Sequence, residues 1–234
     1  MADKNTLRKN RYGTVINIRS YKQELDLLDA LTEVTEFLSE MYGLKLVHDN
    51  KVCLSTIVDK LRCNFPDTYF SEALPKTFIR PDGGILSIVT NTGEKLPILI
   101  TEVKNQGTND LRCAEGKPKQ PMGNAIERLG KNVLGLKAMM MAENIFPFIC
   151  FGYGCDFYAG SSLFGRLQAI SMFGAINKVE SFSPFGPFNM RGSYFFREKK
   201  WSLDEMINPM FEIASNAIEF YIGAYGLENL SKAC

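Results

Sequence analysis

Two short stretches decide the reading: Ile79-Arg80-Pro81-Asp82-Gly83-Gly84-Ile85, and Leu99-Ile100-Thr101-Glu102-Val103-Lys104. Strand side chains alternate between faces, so Glu102 and Lys104 point the same way, continuing from Ile98 and Ile100. Leu99, Thr101 and Val103 take the other face. A strand that is apolar for most of its length and then carries a carboxylate and an ammonium is not a simple core strand. Burying either charge unpaired is costly, so both belong at the strand end, facing each other or a cation. Asp82, at a Pro-Gly-Gly turn one strand earlier, supplies a second carboxylate. Two carboxylates and a lysine at one point suit an oxygen-liganded cation such as Mg²⁺ and a water to be activated. They equally suit a salt-bridged hairpin, and the spacing alone does not separate the two.

Working outward, Ile85 to Thr90 is predicted as a strand, Asn91-Thr92-Gly93 as a turn and Leu96 to Lys104 as the returning strand. Before the hairpin, Leu28, Leu31, Val34, Phe37, Leu38 and Met41 recur at helical spacing between Gln23 and Tyr42. Gly43 ends that helix, and a second is expected over Val52 to Cys63. After the hairpin, residues 105–122 show no periodicity. They hold Gly107, Gly116, Pro118 and Pro121 with Arg112, Lys117 and Lys119, which fits either a mobile loop or an arm that embraces a polyanion. Gly123 to Glu143 reads as a helix with Asn124 as its cap and Glu127 three residues on. Ile145 to Phe151 reads as a strand buried on both faces. Leu163 to Phe173 and Leu203 to Tyr221 read as further helices, with a strand near Tyr194 to Phe196. Strand, strand, helix, strand implies an α/β core with helices on a mixed sheet.

Composition narrows the partners. The chain has 234 residues, 45% hydrophobic, with net charge +1, enough for one large domain and without a whole-molecule basic field. Nucleic acid, if bound, must meet a local cluster of Lys and Arg. Residues 1–20 carry Lys4, Arg8, Lys9, Arg11 and Arg19, a basic segment that reads as a solvated, flexible arm or a DNA-contacting one. The six cysteines lack C-x-x-C spacing and His48 is the only histidine, so a structural zinc site is not expected. No apolar run follows the charged start, and none is long enough to span a membrane, so the cytoplasm is the expected location.

Gly123-Asn124-Ala125-Ile126-Glu127-Arg128 adds a second kind of chemistry. A helix N-terminus favours phosphate, Asn can pair with adenine N6 and N7, Ala can touch a thymine methyl, and Arg can take guanine acceptors. The alternative is an Asn cap followed by a surface charge pair.

Together the motifs resemble the EcoRI family of type II restriction endonucleases, among the PD-(D/E)xK nucleases. The resemblance is carried by residues 79–85, by Glu102-Val103-Lys104-Asn105-Gln106-Gly107, by the hexad at 123–128 with Lys131-Asn132, and by Phe146-Pro147-Phe148. It is fainter around Trp201 and Met210-Phe211-Glu212-Ile213. It implies a single restriction-endonuclease-like domain over residues 1–234, built on a mixed five-stranded sheet flanked by helices. It implies Asp82, Glu102 and the Val103 carbonyl as Mg²⁺ ligands, with Lys104 orienting or activating the attacking water. Gln106, Asn124, Ala125 and Arg128 would read bases of an AATT core, with GAATTC as the full site and 5′ overhangs. Arg80, Lys131 and Asn132 would meet phosphates, and Glu127 would link to Arg128 of the partner in a homodimer. Double-stranded DNA is the implied substrate, and a separate DNA methyltransferase would protect the host site. Departures fall at Asn105, where the best-known member has His, at Gln120-Pro121-Met122, and at the segment around Arg166, a weak counterpart of a second recognition arginine. These bear on the outer base pair. The rivals are a structure-selective or repair nuclease of this fold, and a DNA-binding protein that does not cleave.

Overall fold

The apolar runs on either side of the hairpin turn become the middle of a sheet. A computed structural model describes residues 4–74, 76–105, 107–118, 124–180, 182 and 188–233. For residues 4–21, 107, 108, 110, 111, 124 and 125 it describes the backbone alone. In chain order the elements are α1 (Lys4–Tyr42), β1 (Leu46–Asp49), β2 (Val52–Cys53), α2 (Leu54–Asn64), β3 (Phe78–Ile79), β4 (Gly84–Val89) and β5 (Lys95–Asn105). There follow α3 (Gly107–Ala114), α4 (Asn124–Met139), β6 (Phe148–Tyr153), α5 (Ser162–Ile170), β7 (Ser193–Arg197) and α6 (Leu203–Tyr225).

The main sheet has five strands in the order β1-β4-β5-β6-β7. The first three are antiparallel neighbours, whereas β6 and β7 join β5 in parallel. Parallel neighbours need a crossover, and the chain supplies α3 and α4 between β5 and β6, and α5 between β6 and β7. This is the mixed, helix-flanked α/β sheet expected from the sequence. Strands β4 and β6 are buried almost throughout, as strands covered on both faces must be. The β4–β5 register slips between Leu86 and Ser87, whose partners are Leu99 and Pro97. Proline cannot donate to a ladder, and the slip places it at a bulge, where that costs least.

Helix α1 buries Leu27, Ala30, Leu31, Val34 and Leu38 at three- and four-residue spacing and packs on α6. Gly43, at φ 60°, ends it. Helix α6 opens on a capping box between Ser202 and Glu205 and also covers β5. Helix α4 buries Ile126, Leu129, Val133 and Leu136 and packs against β5, α2 and α5. Gln23 of α1 meets Asn105, and Asn132 of α4 meets Glu102. Residues 105 and 102 point to opposite faces of β5, so α1 and α4 cover opposite sides of the sheet.

Three local expectations change. Helix α1 begins at Lys4, so residues 4–20, expected as a flexible arm, are helical in backbone and continuous with residues 23–42. Residues 4–42 contain no proline and one glycine, Gly13, and extending a helix already nucleated by packing costs little per residue. Within 105–122, expected to be loop, β5 runs to Asn105 and α3 occupies Gly107–Ala114. Asn109 ties this segment to the body through a hydrogen bond from its Nδ2 to Asp156 Oδ2, 3.0 Å, a contact 47 residues away that no local pattern signals. Finally, Val52–Cys53 pairs with Phe78–Ile79 as a small second sheet, and the helix expected from residue 52 starts at Leu54.

Candidate active site

The turn that carries Asp82 is fastened on every side. Gly84 N–H donates to the Pro81 carbonyl at 3.1 Å, and Gly83 N–H donates to the Thr101 carbonyl of β5 at 3.0 Å. The Gly83 carbonyl lies 2.8 Å from His48 Nε2 on the edge strand β1. Gly84 sits at φ 79°, and a side chain there would run into His48 and the Asp49 carbonyl. Glycine is therefore required by both conformation and space.

From this turn Asp82 faces the end of β5. Its N–H donates to Glu102 Oε2 at 3.0 Å, and its Oδ2 accepts from Val103 N–H at 3.2 Å. Lys104 Nζ donates to Asp82 Oδ2 at 2.8 Å, to Glu102 Oε1 at 2.5 Å and to the Val103 carbonyl at 2.9 Å. Asn132 Nδ2 of α4 reaches Glu102 Oε1 at 3.3 Å. Exposure is graded: the side chain of Glu102 is 1% exposed, that of Lys104 14% and that of Asp82 26%, so the group opens to solvent on the Asp82 side.

The charges fit that gradient. Burial pushes the Glu102 carboxyl up, the Lys104 ammonium pulls it back, and Asp82 adds to the rise. Burial alone would lower Lys104, but the two carboxylates outweigh it and hold the ammonium protonated well above the usual lysine range. Behind them Cys150 pairs with Glu102 across β5 and β6, its thiol pushed well up by burial and so uncharged.

Three oxygens, Asp82 Oδ2, Glu102 Oε1 and Val103 O, thus lie within 2.9 Å of one cationic point. All are hard donors and two carry formal negative charge, which fits Mg²⁺. Among the described residues no group of three His, Cys, Asp or Glu side chains forms a metal cluster. Mg²⁺ suits such a site, because it keeps several waters and binds through one or two carboxylates together with phosphate oxygens.

The family description "Restriction endonuclease EcoRI" matches residues 11–183, which includes the whole of this centre. The chain belongs to the EcoRI restriction endonuclease family. The type II restriction enzyme RsrI of Cereibacter sphaeroides is 31% identical over 154 residues, 62% of this chain and 55% of that protein. The type II restriction enzyme EcoRI of Escherichia coli is 31% identical over 133 residues, 53% of this chain and 48% of that protein. The chain spans about half the length of these curated relatives.

Beyond the centre, the residues expected to read bases fall around the start of α4. Asn124 and Ala125 open the helix in backbone, whereas Gln106 and Gly123 lie outside the described residues. Arg128, Glu127 and Lys131 are exposed, as is Arg80 just before the Pro81 turn. Arg166 of α5 stands beside this helix, its Nη1 3.9 Å from Glu127 Oε1, so the weakly aligned arginine is brought to the N-terminal part of α4. Asn132, expected at a phosphate, is instead turned inward onto Glu102, because its position shares the buried face with Leu129 and Val133. The sequence reading did not foresee Gln23, Glu24 or His48 near the site. They come from α1 and β1, tens of residues upstream, and no local pattern marks them.

Proposed function

We propose that this protein is a Mg²⁺-dependent, homodimeric type II restriction endonuclease that cuts double-stranded DNA at a palindrome with an AATT core, GAATTC being the leading site. The observation that carries this is the convergence of Asp82, Glu102 and Lys104 on one point, within the stretch that matches the family. Asp82, Glu102 and the Val103 carbonyl would hold the metal. Bound there, Mg²⁺ supplies Lewis acidity to the scissile phosphate and lowers the pKa of water. Lys104 orients the attacking water and offsets negative charge developing on the phosphate. The centre opens to solvent on the Asp82 side, where a DNA backbone can approach.

Asn124, Ala125, Arg128 and Gln106 would read bases, and Arg80 and Lys131 would contact phosphates. Helix α4 links the two tasks: Asn132 at the cleavage centre lies eight residues from Asn124, about 12 Å along the helix axis. Base recognition and the cutting position are then tied to one rigid element, which supports a fixed offset between site and cut. A palindrome calls for two-fold symmetry. In support, α4 carries Leu134 outward at 71% exposed on the same side as Glu127 and Lys131, and Phe173 after α5 is 79% exposed. Glu127 pairing with Arg128 of the partner subunit would close that interface. A methyltransferase acting on the same sequence completes the restriction–modification system in the bacterial cytoplasm; no described helix is long and apolar enough to cross a membrane.

Digestion of supercoiled plasmid with Mg²⁺, followed by sequencing of the ends, tests the whole reading. Discrete fragments ending in AATT overhangs are expected. Sequence-independent degradation would favour a repair nuclease, and intact plasmid with tight DNA binding would favour a non-cleaving protein.

A further inference from the structure

Helix α1 crosses beside the catalytic hairpin and is fixed at both of its flanks. Gln23, only 4% exposed, accepts a hydrogen bond from Asn105 Nδ2 at 3.0 Å, and Asn105 follows Lys104. Leu27 stands against the backbone of Gly83, which follows Asp82. Glu24 lies between these anchors, adjacent to Gln23 and one helical turn from Leu27, and is half-buried. Burial and then the charge of Asp82 push its carboxyl up, while Lys104 and Arg80 pull it down, so it stands within electrostatic reach of all three. Neither the motif nor the hydrogen-bond network of the centre accounts for this third carboxyl group.

The Lys104 ammonium has three N–H donors, and they go to Asp82 Oδ2, Glu102 Oε1 and Val103 O. Those are the three oxygens that fit a divalent cation. Two cations cannot share the point, because at a few ångströms their repulsion exceeds what the site can absorb even with substantial screening. The flexible four-carbon stem lets the ammonium move aside, but Lys104 serves the reaction only if it stays close.

We infer that Glu24 is a positioning residue that receives the Lys104 ammonium when a divalent cation takes its place among Asp82, Glu102 and Val103. Glu24 then holds Lys104 beside the reacting phosphate instead of releasing it to solvent. Only the last step rests on the nuclease reading; the exchange of ammonium for metal is a property of the protein alone.

Calorimetric titration with Mn²⁺, without DNA, tests this on the full chain and on Glu24→Gln, Lys104→Met and the double variant. Lys104→Met removes the competing cation and should tighten Mn²⁺ binding by about tenfold or more. Glu24→Gln should weaken it several-fold when Lys104 is present, and by less than about twofold when Lys104 is methionine. Glu24→Asp, which keeps the charge, should restore most of the affinity, with thermal melting to confirm that each variant folds. Equal losses from Glu24→Gln in both backgrounds would mean that Glu24 acts on the metal directly and would overturn the inference. So would no loss with Lys104 present, or unchanged affinity in Lys104→Met. Failure of the parent chain to cut plasmid would refute the nuclease reading and leave this titration to decide on Glu24.

Discussion

A single methyl at Gly83 tests how the Asp82 turn is seated. A Cβ at this position would overlap Thr101 Oγ1, lie 2.8 Å from Leu27 Cδ2 and 3.1 Å from Thr101 Cβ. Thr101 cannot retreat: it is fully buried and pairs with Gly84 on one side and Ile149 on the other, in the middle of the sheet. The turn must therefore lift away from β5, stretching the 3.0 Å bond from Gly83 N–H to the Thr101 carbonyl. Overpacking of this kind costs about 1–3 kcal/mol. For a chain of this size that lowers the melting temperature by about 2–12 °C. Asp82 moves with the turn, out of reach of Lys104, and a misplacement near 1 Å costs on the order of 100-fold in rate. Urea denaturation and Mg²⁺-dependent plasmid cleavage should show Gly83→Ala both less stable and nearly inactive. Thr101→Ala removes the obstructing hydroxyl, which has no hydrogen-bond partner among the described residues, so the double variant should recover part of both losses, the approach to Leu27 Cδ2 remaining. Native stability and cutting in Gly83→Ala would refute the seating of the turn on Thr101, and failure of the double variant to recover would refute the steric cause.

Other outcomes follow from the same geometry. Asp82→Asn and Glu102→Gln should each abolish Mg²⁺-dependent cleavage while binding of cognate duplex persists; substantial cutting by purified Asp82→Asn would remove it from the centre. Asn124→Ala should weaken cognate binding by roughly 1–3 kcal/mol more than binding to random duplex at one fixed salt concentration. Equal losses would make Asn124 a cap alone. Leu134→Arg should shift light scattering from dimer toward monomer, and an unchanged mass would place the two-fold contact elsewhere. Glu205 is held down to about 2 by its hydrogen bond from Arg197, then by the Ser202 N–H, against 4.5 for an ordinary glutamate. Its depressed pKa means that its contribution is complete above pH 4.5 and is lost as the pH falls toward 2. The gap in urea midpoint between the parent and Glu205→Gln should therefore be constant near neutrality and close over that acid range, and a gap that persists at its lower end would contradict the assignment.

What the sequence determined by itself is what depends on neighbours along the chain. Alternation on one strand puts Glu102 and Lys104 on a common face, and a Pro-Asp-Gly-Gly turn before an apolar strand places Asp82 within a hairpin's reach of them. Helical spacing located the packed face of α4 but only part of that of α1, where Leu31, Val34 and Leu38 are buried while Phe37 and Met41 of the expected stripe are exposed. The order of elements implied a mixed sheet. The tertiary structure decided the rest, because it joins residues that no period relates. The helical backbone from Lys4 was hidden by a run of charges, since charge density says little about whether a helix already nucleated will propagate. Helix α3 is held through Asn109 and the distant Asp156. Asn132 turns inward because it shares a face with Leu129 and Val133, which outweighs its polar character. Gln23, Glu24 and His48 reach the centre only because α1 lies across one face of the sheet and β1 pairs with β4. Those placements are set by burial of apolar surface across long sequence separations, and that force leaves no local mark on the polar residues it carries into the site.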